Sequence, residues 1–290
     1  MKKVVVITGP TGVGKTSLSI KLAQIFGAEI INADASQFRR GLNVGTAKIT
    51  IDEMQGVKHH LINILAPEDS FSIKDYQAMG RELIIKIDKP FIVGGSGLYI
   101  QALITNYELE DTPERDEEKF SQYSNEELHK LLQSLDYEAS IKIHPNNRRR
   151  VIRYLEIAQT KGLVTPVQRD YLYDALVICL TRPREILYQR INERFDVMIA
   201  NGWVDECREL INQGVNLANV KDIGYAEINS YLNGAIPFED IKELIKQKTR
   251  HYAKRQMTWF RNKMDCHFID LENDNTGYII NLISNFYKNA

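Results

Sequence analysis

A phosphate-binding loop directly after a buried strand constrains the fold of this chain more than any other feature. Residues 9–16 read G-P-T-G-V-G-K-T, which has the glycine spacing and the Gly-Lys-Thr ending of the phosphate-loop motif. In such a loop, backbone N–H groups surround an anion and the lysine neutralises it. The preceding β-branched run, K-V-V-V-I-T, is typical of a strand buried on both faces of a parallel sheet. The motif therefore predicts an α/β fold around a phosphate site, without saying which phosphate is bound.

The residues after the loop predict a βαβ unit. Apolar side chains at helical spacing between Leu18 and Phe26 predict a helix that Gly27 ends. A second buried strand, predicted over 28–32, brings Asp34 to the edge where ligands of parallel sheets collect. Further strands are predicted at 90–93, 175–180 and 266–270, with helices from about Leu98 and after Pro183. We therefore predict a P-loop NTPase-like parallel sheet flanked by helices.

The character of the sequence changes in the middle of the chain. Residues 108–173 are rich in charge and helical in pattern, and they open with an acidic stretch at 108–118. This segment separates two buried strands of the predicted sheet. We therefore predict a catalytic core with C-terminal helices over 1–107 and 174–290, and a small helical insertion over 108–173.

Composition restricts the partners and the compartment. The formal net charge of the 290 residues is −1, so any polyanionic partner must be held by a local basic face. The three cysteines, Cys179, Cys207 and Cys266, are far apart and predict neither a zinc site nor a disulfide framework. The start of the sequence lacks the apolar region of a signal peptide, and no segment has the length of a membrane span. We expect a cytoplasmic protein without membrane contact.

Several side chains near the predicted phosphate site can take part in chemistry. Lys15 is expected to contact a terminal phosphate, and the Thr16 hydroxyl to bind a Mg²⁺ that bridges phosphate oxygens. Asp34 is either a solvated loop carboxylate or a group that holds Mg²⁺ or accepts a proton. Gln37 adds an amide, which can pair with adenine. Taken alone, the loop indicates an ATPase or a kinase.

Other segments allow both a structural and a functional interpretation. The turn at 94–97, G-G-S-G, is either a tight strand-to-helix junction or the source of a hydroxyl at the site. Arg190 and Arg194 share a helix face, where they either pair with glutamates or clamp a diphosphate. Residues 249–261 alternate cations with aromatics, and composition alone favours an amphipathic helix over a nucleic-acid face. The adjacent His59 and His60 point in different directions, so we assign them no metal.

Eight segments along almost the whole chain together resemble the tRNA dimethylallyltransferase family, also called tRNA isopentenyltransferases. They are G-P-T-G-V-G-K-T at 9–16, D-A-S-Q at 34–37, G-L-N-V-G-T-A-K at 41–48, H-H-L-I-N-I at 59–64, G-G-S-G-L-Y at 94–99, H-P-N-N-R-R-R-V-I-R-Y-L-E at 144–156, I-G-Y at 223–225 and Y-A-K-R-Q-M-T-W-F-R at 252–261. Each segment alone is weak or moderate as a signal. In this order they are highly specific.

The resemblance implies transfer of a dimethylallyl group from its diphosphate to N6 of the adenosine 3′-adjacent to the anticodon in tRNA, giving N6-isopentenyladenosine. The partners of the protein would be dimethylallyl diphosphate and the anticodon stem-loop of tRNA. Its cofactor would be Mg²⁺, held through Thr16, and the protein would be a monomer. The family pattern implies a catalytic set of Asp34 as general base, Ser96 and Arg194. It implies diphosphate binding by Gly9, Pro10, Thr11, Gly12, Val13, Gly14, Lys15 and Thr16. It implies tRNA binding by Ala35, Ser36, Gln37, Arg149, Arg150, Arg153, Gly224, Tyr225, Lys254, Arg255, Gln256, Trp259 and Arg261.

The chain departs from the family pattern around the predicted base. The family's D-S-x-Q-V-Y-R is here D-A-S-Q-F-R-R, with Ala35 and Arg39 in place of a serine and a tyrosine. Three alternatives remain open at this point: a dimethylallyltransferase that acts on free adenylate, a small-molecule kinase or NTP-dependent switch, and an RNA-binding module without turnover.

Overall fold

The computed structural model describes residues 1–107, 118–161 and 170–289. They divide into two compact units, Met1–Tyr107 with Tyr171–Ala290, and Glu108–Asp170. The acidic stretch expected to open the insertion lies, up to residue 117, outside the described residues. The use of 108–173 as a tRNA-binding insertion stays a prediction.

The first unit is built on one six-stranded sheet in which every neighbouring pair is parallel. The strands are β1 Lys3–Thr8, β2 Glu29–Asn32, β3 His59–His60, β4 Pro90–Val93, β5 Asp174–Thr181 and β6 His267–Asp270. Their order across the sheet is β3-β2-β4-β1-β5-β6. The phosphate loop therefore follows a central strand, at the edge where the carboxyl ends of β1, β2 and β4 meet. The predicted P-loop NTPase-like sheet flanked by helices is confirmed.

The helices of the chain are α1 Lys15–Phe26, α2 Ile51–Met54, α3 Ile73–Lys86, α4 Gly97–Ile104, α5 Asn125–Leu135, α6 Tyr137–Lys142, α7 Arg148–Lys161, α8 Arg184–Ala200, α9 Trp203–Asn212, α10 Tyr225–Leu232, α11 Phe238–Lys263 and α12 Thr276–Lys288. Local sequence sets several of their ends. Gly27 ends α1 in the left-handed conformation, as predicted, and its backbone N–H donates to the Ala23 carbonyl. Ser72 and Asp75 form a capping box at the start of α3. None of the helices in the described residues combines the length and the apolar composition needed to cross a membrane.

Successive residues of β1 enter two different apolar clusters, as the alternation of side chains along a strand requires. Val5 and Ile7 pack with residues of α1, α8 and α12, whereas Val4 and Val6 pack with residues of α3, α4 and α11. All four side chains are 0% exposed. Burial on both faces explains why β1 reads as a continuous apolar run.

A third apolar cluster joins α8, α9, α10 and α11 to the segment after β2. Trp203 of α9 packs edge-on against Phe195 of α8 and Tyr225 of α10. Leu42 and Val44 of the segment after β2 belong to the same cluster. This packing fixes the loop at 41–48, which borders the candidate site.

The second unit has its own small core, formed by apolar side chains of α5, α6 and α7 around Leu128, Leu132 and Leu155. The Arg148 guanidinium donates to the carbonyls of Phe120, at 2.6 Å, and Tyr123, at 2.7 Å. Arg148 thus holds the start of α7 within its unit.

Candidate active site

The phosphate loop lies between the end of β1 and the start of α1. Gly9 has a φ of 138°, and a Cβ there would approach the Leu180 carbonyl oxygen of β5 to 2.5 Å. Only glycine fits this close passage. Because α1 begins at Lys15, the N–H groups of its first turn point at the space above the loop.

Lys15 lies folded onto this loop. Its Nζ donates to the carbonyls of Gly9, at 3.0 Å, and Pro10, at 2.9 Å. Burial lowers the pKa of Lys15 to about 8; the neighbouring Asp34 carboxylate opposes this shift and the Arg194 guanidinium adds to it. An incoming anion would favour the charged lysine and offset its cost of burial.

Three arginines from the β5–α8 region surround the loop. Arg190 Nε donates to the Gly12 carbonyl at 2.9 Å, and an Arg194 guanidinium nitrogen lies 3.5 Å from Thr11 Oγ1. Arg182, which the sequence analysis missed, donates from Nε to the Val13 carbonyl at 3.0 Å. Of the two interpretations of the Arg190 and Arg194 pair, this position favours the anion clamp. Burial lowers the pKa of Arg194, and Asp34 opposes the shift.

Asp34 follows β2 and starts a short 3₁₀ turn, Ala35–Gln37. One of its carboxylate oxygens accepts from the Ser36 N–H at 3.2 Å, and its own N–H donates to Asn32 Oδ1 at 3.0 Å. The hydroxyl of Ser96, in the turn after β4, accepts from the Ala35 N–H at 3.2 Å. The turn at 94–97 is a tight junction that also places a hydroxyl beside the Asp34 segment, and a catalytic function for Ser96 stays a prediction.

One open cavity of about 1020 Å³ is bordered by the phosphate loop, Asp34, Arg190 and Arg194. Polar groups on its wall include Lys15, Thr16, Asp34, Gln37, Arg190 and Arg194. Its apolar wall includes Ile20, Ile30, Val44, Ile49, Ile62 and Val93. This volume is at the upper end of the range for small-molecule sites, so it can admit more than a single small ligand. The cavity offers an anion site, a carboxylate and an apolar surface in one place.

The segment 249–261 lies within α11, and its two sides differ in character. Phe260 is fully buried and Trp259 packs against Gly97, as expected for an amphipathic helix. Lys254, Arg255 and Arg261 are exposed on the other side of the helix. The exposed cations form a basic face, which is what the nucleic-acid interpretation requires.

Two predicted tRNA contacts are buried in the cluster around Trp203. Tyr225 is 0% exposed, and its hydroxyl donates to Glu206 at 2.7 Å. Gly224 lies against the Trp203 ring. The function that the structure gives these residues is packing, and their direct contact with tRNA stays a prediction.

The predicted arginines of α7 belong to the second unit. Arg149 and Arg150 are exposed, and the Arg150 guanidinium lies 5.8 Å from the centre of the Tyr154 ring. Arg153 forms an ion pair with Glu156 at 3.7 Å. Arg149 and Arg150 are therefore accessible for an anionic partner.

Two further residues near Asp34 were missed by the sequence analysis. The Tyr252 hydroxyl, on the inner side of α11, shares a hydrogen bond with the Ser96 side chain, and burial raises the pKa of Tyr252. Asp222 is hydrogen-bonded to Ser36, and burial raises its pKa. Tyr252 lies in the segment 249–261, for which composition favours an amphipathic helix. No motif marks Asp222 apart from its place before I-G-Y.

The adjacent histidines and two of the three cysteines have protein partners of their own. His59 Nδ1 lies 2.8 Å from the Val57 carbonyl, and His60 Nε2 lies 2.6 Å from Glu29. All three cysteines are free thiols, and Cys179 and Cys266, although far apart in sequence, are hydrogen-bonded to each other. Within the described ranges, no group of three or more His, Cys, Asp or Glu side chains is arranged to hold a metal ion.

Comparison with known proteins gives a consistent result. Residues 37–263 match the family model described as IPP transferase. A tRNA dimethylallyltransferase of Bacillus subtilis (strain 168) is 45% identical over 286 residues, covering 92% of this chain and 90% of that protein. The solved structure of the tRNA isopentenylpyrophosphate transferase from Bacillus halodurans is 40% identical, has a TM-score of 0.77 and covers 99% of this chain and 97% of its own.

A more distant solved structure has a similar fold. It is a eukaryotic dimethylallyltransferase described as acting on tRNA, with 27% identity, a TM-score of 0.83 and coverage of 100% of this chain and 80% of its own. Sequence and fold therefore agree over essentially the full length, and the chain belongs to the IPP transferase family.

Proposed function

We propose that this chain transfers a dimethylallyl group from dimethylallyl diphosphate to N6 of the adenosine 3′-adjacent to the anticodon of tRNA. The observation that carries this proposal is that the phosphate loop, Arg194 and the Asp34 carboxylate border one cavity with an apolar wall. A kinase for small polar substrates has no need of that wall. A prenyl donor needs both an anion site and an apolar surface.

The donor diphosphate would bind at the phosphate loop. Lys15 would exchange its contacts with the Gly9 and Pro10 carbonyls for phosphate oxygens, and Arg190 and Arg194 would contact the same anion. Breaking the allylic C–O bond leaves negative charge on the diphosphate. Preorganised cations in a buried site stabilise that charge more strongly than water does.

The Thr16 hydroxyl fits a Mg²⁺ ion that is held mainly by the diphosphate. Thr16 borders the cavity, and Mg²⁺ in phosphate sites commonly takes one or two protein ligands, with water and phosphate completing its shell. The bound ion would supply charge neutralisation at the leaving diphosphate.

The acceptor adenine would enter the same cavity from the side of Asp34. Its exocyclic amine is a weak nucleophile, so removal of a proton as the C–N bond forms assists the reaction. Asp34 is the carboxylate at that position, and its Oδ1 is oriented by the Ser36 N–H. Gln37, which lies on the cavity wall, would pair with the base, and the base must leave the anticodon stack to reach it.

The exposed cations of α11 would hold the tRNA backbone, and Arg149 and Arg150 of the second unit would add contacts to it. Such contacts are salt-dependent, because cations displace counterions from phosphates. The cytoplasmic compartment and the monomeric state stay predictions from the sequence.

The test is a transfer assay with isotopically labelled dimethylallyl diphosphate, Mg²⁺ and unmodified tRNA, followed by nucleoside analysis. The matched control is the same tRNA with guanosine in place of the adenosine next to the anticodon. We expect label in N6-isopentenyladenosine from the first tRNA and none from the control. Label that enters AMP but not tRNA, or γ-phosphate transfer from ATP without prenyl transfer, would overturn the proposal.

A further inference from the structure

One buried side chain joins the loops that hold the two proposed substrates. Gln256 of α11 is 6% exposed. Its Oε1 accepts from the Thr11 N–H of the phosphate loop at 2.9 Å. Its Nε2 donates to the Gly95 carbonyl, in the turn after β4, also at 2.9 Å. We propose that Gln256 is a positioning residue that fixes the donor loop relative to the turn that carries Ser96.

The bonding pattern selects glutamine at this position. The Thr11 N–H can only donate and the Gly95 C=O can only accept, so a bridging side chain needs one acceptor and one donor at its end. A glutamate would place an oxygen against the Gly95 carbonyl, and a methionine of similar length would offer neither bond. The turn also needs a glycine at position 95 to leave room for the amide, because a Cβ there would lie 2.3 Å from Gln256 Nε2.

Both bonded loops continue directly to groups with proposed roles in the reaction. Thr11 Oγ1 lies 3.5 Å from the Arg194 guanidinium on the donor side. Ser96, the residue after Gly95, accepts from the N–H of Ala35, which is the neighbour of Asp34. Two hydrogen bonds of Gln256 therefore connect the diphosphate loop with the Gly95 turn, and a third, between Ser96 and Ala35, extends the connection to the Asp34 segment.

This arrangement changes the role expected for Gln256. The family pattern implies a tRNA contact for Gln256, because this residue lies in the segment Y-A-K-R-Q-M-T-W-F-R. Its amide has both ends paired with protein backbone and faces away from the basic side of α11. Its pairing with Thr11 also means that the Thr11 N–H is not free for phosphate, which leaves the later N–H groups of the loop to bind the diphosphate.

The inference rests on the proposed function for its kinetic part, and the test separates the two. The variant is Gln256→Met, which keeps the side-chain length and removes both hydrogen bonds. Inorganic pyrophosphate with Mg²⁺ is titrated by calorimetry, the anticodon stem-loop is titrated separately, and the single-turnover rate is measured with both substrates saturating. We expect pyrophosphate affinity and the single-turnover rate each to fall about tenfold, because a buried N–H loses its partner and the loops lose their fixed spacing. We expect the affinity for the stem-loop to stay within about twofold of the wild-type value.

Gln77→Met is the matched control. Gln77 is also a partly buried glutamine, and its Nε2 donates to the carbonyls of Ala102, at 2.7 Å, and Tyr107, at 2.8 Å, but it does not border the cavity. The Gln77→Met variant should have a lower melting temperature, with unchanged pyrophosphate affinity and an unchanged single-turnover rate. If Gln256→Met does not fold, Gln256→Asn, which is too short to reach both loops, takes its place with the same expectation.

Two results would overturn the inference. Unchanged pyrophosphate affinity in a folded variant would show that the bridge does not shape the donor loop. A loss of stem-loop affinity with pyrophosphate binding intact would show that Gln256 contacts RNA directly. If the wild-type protein binds pyrophosphate but transfers no prenyl group, the proposed function fails while the binding comparison still tests the bridge.

Discussion

Replacement of Glu206 by alanine should release the loop at 41–48 from the body of the protein. The Glu206 carboxylate accepts from the backbone N–H groups of Asn43, at 2.7 Å, Val44, at 2.6 Å, and Gly45, at 3.1 Å. It also accepts from the hydroxyl of Tyr225 at 2.7 Å. One side chain therefore satisfies four donors, three of them on a loop that borders the cavity.

The size of the effect follows from where these donors lie. A hydrogen bond to a charged group contributes roughly 1.5–3 kcal/mol, and a buried donor left without a partner costs about 1–3 kcal/mol. Asn43 is exposed, so its N–H regains water at little cost, whereas Tyr225 is 0% exposed and cannot. Val44 and Gly45 are partly buried, so the cost of leaving their N–H groups without a partner is intermediate. We therefore expect Glu206→Ala to lower the free energy of unfolding by about 3–5 kcal/mol.

The measurement is urea unfolding followed by tryptophan fluorescence, because Trp203 is buried and stacks edge-on with Tyr225. With a slope of about 2–3 kcal/mol per molar urea, the midpoint should fall by roughly 1–2 M. The matched control is Asp205→Ala on the preceding residue. Its carboxylate is 72% exposed and pairs with Arg208, so its loss should cost less than about 1 kcal/mol. A loss below about 1 kcal/mol for Glu206→Ala, with an unchanged slope, would refute the reasoning.

Three further predictions concern the site. Asp34→Asn should lower turnover by about 10²–10⁴-fold, because it removes the proton acceptor. The affinity for tRNA, measured by filter binding, should stay within about twofold of the wild-type value. A loss of affinity in proportion to the loss of turnover would remove the assignment of Asp34 as the base. In the folded protein the pKa of Lys15 is lowered from 10.5 to about 8. Below pH 8 the folded state therefore carries the full free-energy cost of the buried charge, and this cost falls as the pH rises towards 10.5. Since the diphosphate needs the charged lysine, calorimetry should show donor affinity falling above pH 8, and a Lys15→Met variant should lack that pH dependence. Arg255→Ala should weaken tRNA binding and reduce its salt slope by about one, and an unchanged slope would count against the contact.

The sequence alone predicted five of the six strands and the position of the phosphate loop, but not the two-residue strand β3. The strand at 90–93 and the helix end at Gly27 were predicted at the residues where they occur, because buried strands and glycine caps have strong local signals. The phosphate loop carries its lysine, its glycines and its place after β1 in one continuous motif. Arg190 and Arg194 were predicted to share a face, and both reach the loop.

Only the tertiary structure determines which polar groups are hydrogen-bonded within the protein and which face the cavity. Gln256 and Arg255 are neighbours in one motif, yet the first is bonded to two loops and the second is exposed. The family pattern implies a tRNA contact for Tyr225 and no role for Tyr252, but their hydroxyls pair with Glu206 and Ser96. These pairings join residues that are distant in sequence, and no local pattern records which distant partner a buried donor will meet. A short motif can therefore identify the phosphate site, whereas the partners that hold it in shape follow only from the packing of the whole chain.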